Sequence, residues 1–255
     1  MKVLCGAIIL ALVHSSLQAT DYCTANLCKT GVTHVGCNPP TTFAVSGGAF
    51  VTIDAAKKAL ILGEHNKLRN KIALGLEKNS AGVAYNTAAK MTTMQWDDEL
   101  AYLASINARQ CDMKHDACRN TVVYKYAGQN LASYGTTATS INVTAQIISM
   151  IGNWYNESAN ANPTLIDSYQ STTAVIGHFT QVVKDRADRV GCAISTWTVA
   201  PWNNLLLACN YALTNILGAP TYVKGTTASG CTTGKNAQFP GLCSPSEVVK
   251  YDALA

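Results

Sequence analysis

Ten cysteines in a chain of 255 residues limit its folds more than any other feature, because in an oxidising compartment they become crosslinks. One of them, Cys5, lies inside an apolar run from Val3 to Val13 that follows Lys2 and gives way to His14, Ser15 and Ser16. This pattern is that of a secretory signal peptide over residues 1–19 with cleavage after Ala19, so Cys5 is expected to leave. The remaining cysteines are Cys23, Cys28, Cys37, Cys111, Cys118, Cys192, Cys209, Cys231 and Cys243. Their odd number implies a disulfide framework plus either one free thiol or an intermolecular bridge. Two sequons, Asn142-Val143-Thr144 and Asn156-Glu157-Ser158, add glycosylation sites to the case for export.

Without Lys2 the formal charge falls from +4 to +3, since no acidic residue leaves with it. Lys and Arg are scattered, whereas a nucleic-acid binder gathers its basic residues on one face, so nucleic acid is set aside as a partner. No later stretch approaches the roughly 20 apolar residues of a transmembrane helix. The expectation is an exported, extracellular protein without a membrane span, with one domain large enough to bury a full core.

Residues 20–53 hold three cysteines, Pro39-Pro40 and Gly47-Gly48 without helical or strand periodicity, and read as a crosslinked N-terminal extension. From Asp54, an N-cap, Ile61, His65, Leu68, Ile72 and Leu76 recur on one face of a first helix that Gly75 ends. A second helix begins near Asp97, Asp98 and Glu99 and carries Leu100, Leu103, Ala104 and Cys111 inward. A third runs from about Ser140, with Ala145, Ile148, Ile151 and Tyr155 along one side, Trp154 beside them and Asn160 to Pro163 closing it. Gly177–Val183, Arg189–Thr198 and Leu205–Tyr211 are short runs of β-branched and aromatic residues that read as antiparallel strands. Helices first and strands later indicate an α+β fold over residues 54–222. Residues 223–255 form a Gly-, Thr- and Ser-rich tail with two cysteines.

Gly177-His178-Phe179-Thr180-Gln181-Val182-Val183 resembles the first signature of the CAP superfamily, the cysteine-rich secretory, antigen 5 and pathogenesis-related proteins, and Cys209-Asn210-Tyr211-Ala212 resembles the second. His65-Asn66-Lys67-Leu68-Arg69 is similar to the motif of that family's first helix. Gly128-Gln129-Asn130-Leu131 is similar to its central turn, and Trp154-Tyr155-Asn156-Glu157 to the end of its third helix. Asp21-Tyr22-Cys23, Leu27-Cys28, His34-Val35-Gly36-Cys37 and the run from Cys111 to Cys118 narrow the resemblance to the insect antigen 5 branch, which includes venom and salivary allergens.

The resemblance implies a three-layer α-β-α sandwich with a cleft into which His115, Gln129, Glu157 and His178 converge. Much of the superfamily has Glu where this chain has Gln129. Two imidazoles can bind Zn²⁺, with Glu157 coordinating or orienting them, but the amide removes a charge that favours the cation. The expectation is therefore no required cofactor and at most loosely bound zinc on His115 and His178. His65, on the apolar face of the first helix, reads as a hydrogen-bonded core histidine. Lys184 stands where relatives often have Trp after the first signature, and is expected to place a surface charge at the end of a strand.

By the same resemblance Cys23 pairs with Cys37, Cys28 with Cys118, Cys192 with Cys209 and Cys231 with Cys243. Cys111 is left unpaired because the extension lacks the cysteine that bridges to that position in relatives. Its expected state is a buried thiol in a monomer. For Cys192 and Cys209, the alternation of Val190, Cys192 and Ile194 and of Leu207, Cys209 and Tyr211 makes a cross-strand bridge geometrically reasonable, stabilising by about 3 kcal/mol.

Catalysis is not expected, and no catalytic residue is assigned. An amide cannot titrate, so paired acid and base roles are lost, and neither a His-Glu-x-x-His helix nor a Gly-x-Ser-x-Gly elbow is present. The leading expectation is a non-enzymatic protein that binds an extracellular protein or a small apolar ligand. The alternatives are a metal-dependent hydrolase using His115, His178 and Glu157, and a small-lipid or sterol carrier. Ile61, Leu68, Ile148 and Ile151, which could line a lipid groove, read as ordinary core. The chain has no Arg-Gly-Asp tripeptide.

Overall fold

The computed structural model describes residues 20–251; the leader expected over residues 1–19 lies outside them. Chain order is β1 (Ala49–Phe50), α1 (Ala55–Ala73), β2 (Gln95–Trp96), α2 (Asp98–Ala108), β3 (Gly128–Thr136), α3 (Val143–Asn156), α4 (Gly177–Val182), β4 (Arg189–Val199) and β5 (Trp202–Tyr211). The sheet runs β1-β4-β5-β3, with β2 joining β4 in parallel. β4 and β5 form a long hairpin, paired from Val190↔Tyr211 to Val199↔Trp202, and β3 extends it from Gly128↔Tyr211 to Thr136↔Asn203.

Alternation along the strands sends Ile194, Leu205, Leu207 and Tyr211 to one face, where they meet Ile61 and Ile72 of α1, Ile147 and Ile151 of α3 and Phe179 of α4. The opposite face is lined by small residues, Ala193 and Ala208 with Leu131 and Leu206, and receives Ala104 and Ala108 of α2. Gly191 makes that approach possible: a Cβ there would lie 2.1 Å from the Ala101 nitrogen, so the backbone of α2 rests on the strand. Helices on both faces make the α-β-α sandwich.

Local chemistry explains the helix starts. Asp54, Asp97 and Asn142 each accept a backbone N–H three residues ahead, from Lys57, Leu100 and Ala145. Leu76 falls beyond α1 and is exposed, while Asn66 and Arg69 are buried in its place. Along α3 the inward residues are Ile147, Met150, Ile151, Trp154 and Tyr155, so Ile148 faces solvent, against expectation. α2 stops at Ala108; Cys111 lies past its end with φ +53°, and is buried there and not on the helix face.

Three further expectations are corrected. Gly177–Val182 is a helix, not a strand, because Phe179 and Val182 bury at helical spacing and a distant carboxylate caps its first turn. Gly128–Leu131 opens a strand and is not a turn; Gly128 leaves room for the Gln181 side-chain amide of α4, which a Cβ would force to shift. Lys184 is buried and donates to the Pro220 carbonyl at 2.7 Å, which gives its ammonium an acceptor inside the protein.

Arg69 ties these parts together. Its buried guanidinium donates to the carbonyls of Thr92, Val182 and Lys184 at 2.7–3.2 Å and to that of Asp185 at 3.3 Å. The cation thus sits where α4 leaves its last carbonyls unpaired.

Disulfides hold the extensions. Cys23–Cys37 closes the N-terminal loop and Cys28–Cys118 joins it to the segment after α2; Cys192–Cys209 crosses the β4–β5 pair and Cys231–Cys243 closes the tail. Among the described residues Cys111 is the free cysteine. The tail also docks by hydrogen bonds, from Cys243 N to Met91 O at 2.8 Å and from Gly241 N to Asn70 Oδ1 at 2.7 Å.

Candidate functional site

The start of β3, an edge strand, carries Gln129 and Asn130, whose side chains leave on opposite faces. On the α2 face, Gln129 Nε2 donates to Asp116 Oδ2 at 2.8 Å and to Asn210 Oδ1 at 3.0 Å. That leaves Oε1 facing His115 Nδ1 at 2.7 Å, so Nδ1 carries the proton. Asp116 is itself consumed: Oδ1 receives Arg119 Nε at 2.9 Å, and Oδ2 also receives Asn107 Nδ2 at 3.2 Å.

On the other face, Asn130 Nδ2 donates to the His178 carbonyl at 3.1 Å and reaches the Tyr211 hydroxyl at 3.4 Å. Glu157, just past α3, does two jobs. Its Oε2 accepts the backbone N–H of His178 at 2.9 Å and of Phe179 at 3.1 Å, capping α4, while Oε1 accepts His178 Nδ1 at 2.6 Å. The imidazole of His178 stacks 6.2 Å from Trp154, whose indole N–H is fixed on Leu131 O at 3.0 Å.

The four residues singled out in the sequence thus form two pairs, His115 with Gln129 and Glu157 with His178, bracketing the first residues of β3. In both pairs Nδ1 is occupied and Nε2 is the nitrogen left for anything entering from outside. Among the described residues, the ligand atoms of His115, Glu157 and His178 do not all lie within 4.8 Å of one another. The group that does meet that distance is Cys28, His34 and Cys118, where the disulfide has taken both sulfurs. Asp116, Asn130 and Tyr211 complete the site; Asn130 and Tyr211 stood in recognised motifs, but no role was assigned to any of the three from sequence. Asn210 stood in a recognised motif, but its role of orienting an amide depends on cross-strand register, Gln129↔Asn210.

His65 lies behind the site. Its Nδ1 donates to Ile61 O at 2.8 Å, and Nε2 accepts the Tyr211 hydroxyl at 2.9 Å, so a chain of hydrogen bonds runs from the core through Tyr211 and Asn130 to His178. Burial pushes its pKa down to about 4.

Residues 62–211, from within α1 to the end of β5, match the cysteine-rich secretory protein family, the CAP family. The chain belongs to the CAP family. Venom allergen-1 of Aedes albopictus is 44% identical to it over 241 residues, 91% of each chain, and the antigen 5 like allergen Cul n 1 of Culicoides nubeculosus is 41% identical over 71% of this chain and 85% of its own. Among solved structures, that of NaASP2 with Zn²⁺ superposes with a TM-score of 0.61 at 27% identity, covering 75% of this chain and 96% of the other. BmVAL-1 gives a TM-score of 0.66 at 23% identity, over 74% of this chain and 94% of its own. The insect relatives place this CAP protein with the venom allergens and antigen 5 proteins. The four disulfides among the described residues suit an oxidising compartment. No helix among the described residues is long and apolar enough to cross a membrane.

Proposed function

We propose that this protein is secreted, works as a monomer and acts by binding an extracellular partner at the β3 cleft without catalytic turnover. One observation carries the reading: the Gln129 amide is pinned by Asp116 and Asn210, and Asp116 is pinned in turn by Arg119. Glu157 therefore faces no second free carboxylate with which to divide acid and base roles, and its own oxygens cap α4. The test is a search for esterase and peptidase turnover with purified protein. Turnover that disappears when His115 and His178 are replaced together would show the cleft to be catalytic.

Two outward Nε2 atoms, each on a ring whose Nδ1 is held, also fit weak zinc binding, and a similar solved protein is described with Zn²⁺. The chain's residues would supply two imidazoles and no further charge from Gln129, so the ion is expected to be exchangeable. Isothermal titration with zinc, repeated on the double histidine variant, checks it. A nanomolar site surviving that substitution would contradict the assignment.

A small apolar ligand is the second reading, favoured by a hollow of about 210 Å³ between β1, α2 and β4 that Phe50, Val51, Ile53, Trp96 and Ile194 line, together with the ion-paired Lys58 and Asp98. Native mass spectrometry of protein from its natural source tests it, through the presence or absence of a retained lipid.

A further inference from the structure

The β4–β5 hairpin projects beyond the rest of the sheet. β3 pairs only as far as Asn203, so the final pair, Val199↔Trp202, and the turn residues Ala200 and Pro201 stand free at the tip. Val199 is 55% exposed and Trp202 50%, and both turn residues are exposed. Trp202 lies over Gly135, whose notional Cβ would be 3.5 Å from the indole, so the ring is supported from beneath while its other face meets solvent. Its N–H has no hydrogen-bond partner among the described residues, and the β4–β5 ladder continues as far as the pair that carries it.

The surroundings lack charge. No Asp, Glu, Lys, Arg or His occurs from Tyr126 to Asn156 or from Val190 to Val223, the stretches that form β3, α3 and β5 and all of β4 after Arg189. β1, on the far side of β4, comes from a segment equally free of them, residues 38–53. A guanidinium on that side, Arg109, is held over the rings of Phe43 and Phe50.

We infer that this tip docks on the interface of a lipid bilayer, including one with no net charge. A narrow convex tip cannot supply the roughly 800 Å² per partner of a stable protein interface, whereas a bilayer needs no complementary shape. A neutral polysaccharide would need free amide donors beside the tryptophan, and the nitrogens of both neighbouring asparagines are committed. Asn203 Oδ1 takes the Thr198 hydroxyl at 2.7 Å, its Nδ2 donates to Ala138 O at 2.8 Å, and Asn204 Nδ2 is turned onto the Trp202 carbonyl at 3.2 Å. An indole with a free N–H, flanked by Val and Pro, is instead the amphipathic group that settles at the boundary between headgroups and acyl chains. Binding through so few side chains is weak and reversible.

The experiment is co-sedimentation of the full secreted chain with phosphatidylcholine vesicles at low and near-molar salt. The expected result is binding at millimolar lipid that salt does not weaken, reduced about tenfold by Val199→Ser with Trp202→Ser, two side chains that lie outside the core. In case that variant folds poorly, brominated phosphatidylcholine provides an independent readout: it should quench the tryptophan emission of the native chain, and the quenching should vanish in Trp202→Phe while binding persists. No binding to neutral vesicles, a strict need for anionic lipid, quenching unchanged in Trp202→Phe, or retention on a neutral polysaccharide without vesicle binding would each overturn the inference.

Discussion

Gln129 donates through Nε2 to Asp116 Oδ2 at 2.8 Å, so the amide at the cleft and the carboxylate behind it behave as one unit beneath His115. A carboxylate in place of that amide would meet Asp116 at hydrogen-bond distance, and two such groups cannot both ionise. Gln129→Glu is therefore expected to destabilise the protein by about 2 kcal/mol at neutral pH. The new pair's raised pKa returns stability as pH falls through it. Asp116→Asn in the same chain should restore the neutral-pH value. Urea unfolding of the native chain and the two variants at several pH values checks this; an unchanged midpoint in Gln129→Glu would separate the two residues.

His65 sets an acid limit on the fold. Its pKa lies near 4 in the folded protein and 6.5 is its ordinary value, so the unfolded chain takes up the proton first as pH falls. Stability is fully present above 6.5 and declines toward 4, by about 3 kcal/mol in total. His65→Gln should flatten that slope, whatever it does to stability at neutral pH. Denaturant midpoints measured across this window decide the matter.

Glu247 governs a lower window, in the tail. Burial alone would raise its pKa, but Lys90, Thr232 and Thr233 donate to the carboxylate and hold it at about 2. The stabilisation is present above the ordinary value of 4.5 and is lost as pH falls toward 2, by up to about 3 kcal/mol. Glu247→Gln should lose stability at neutral pH and converge with the native protein in strong acid. Hydrogen exchange of the amides of Thr232 and Thr233, which both bond this carboxylate, should report the loss locally.

Cys111 is buried, and burial raises its thiol pKa. A thiol reagent is expected to label it only after denaturation, and a nonreducing gel should show monomer. Rapid labelling of the native protein would contradict this.

Where the structure departs from what the sequence announced, long-range contacts explain the difference. α1 and α2 carry their signals locally, in Asp54 and Asp97 as caps and in the spacing of Ile61, Ile72, Leu100 and Leu103. α4 does not: Phe179, Thr180, Val182 and Val183 favour a strand by composition, and the cap that makes them a helix belongs to Glu157, on the far side of a long loop. Lys184 looked like a surface residue because its acceptor, Pro220, is remote in sequence. The site was legible as four residue types in familiar motifs. Its division into two pairs was not, because that follows from Gln129 and Asn130 lying on opposite faces of one strand.

The Cys28–Cys118 bridge leaves a mechanical consequence. Cys118 stands three residues after His115, so the amino-terminal arm is the brace of the segment that presents this imidazole. A protease cut inside the arm, or selective reduction of that crosslink, should loosen one wall of the cleft while Glu157 and His178, anchored by α3 and α4, keep their places.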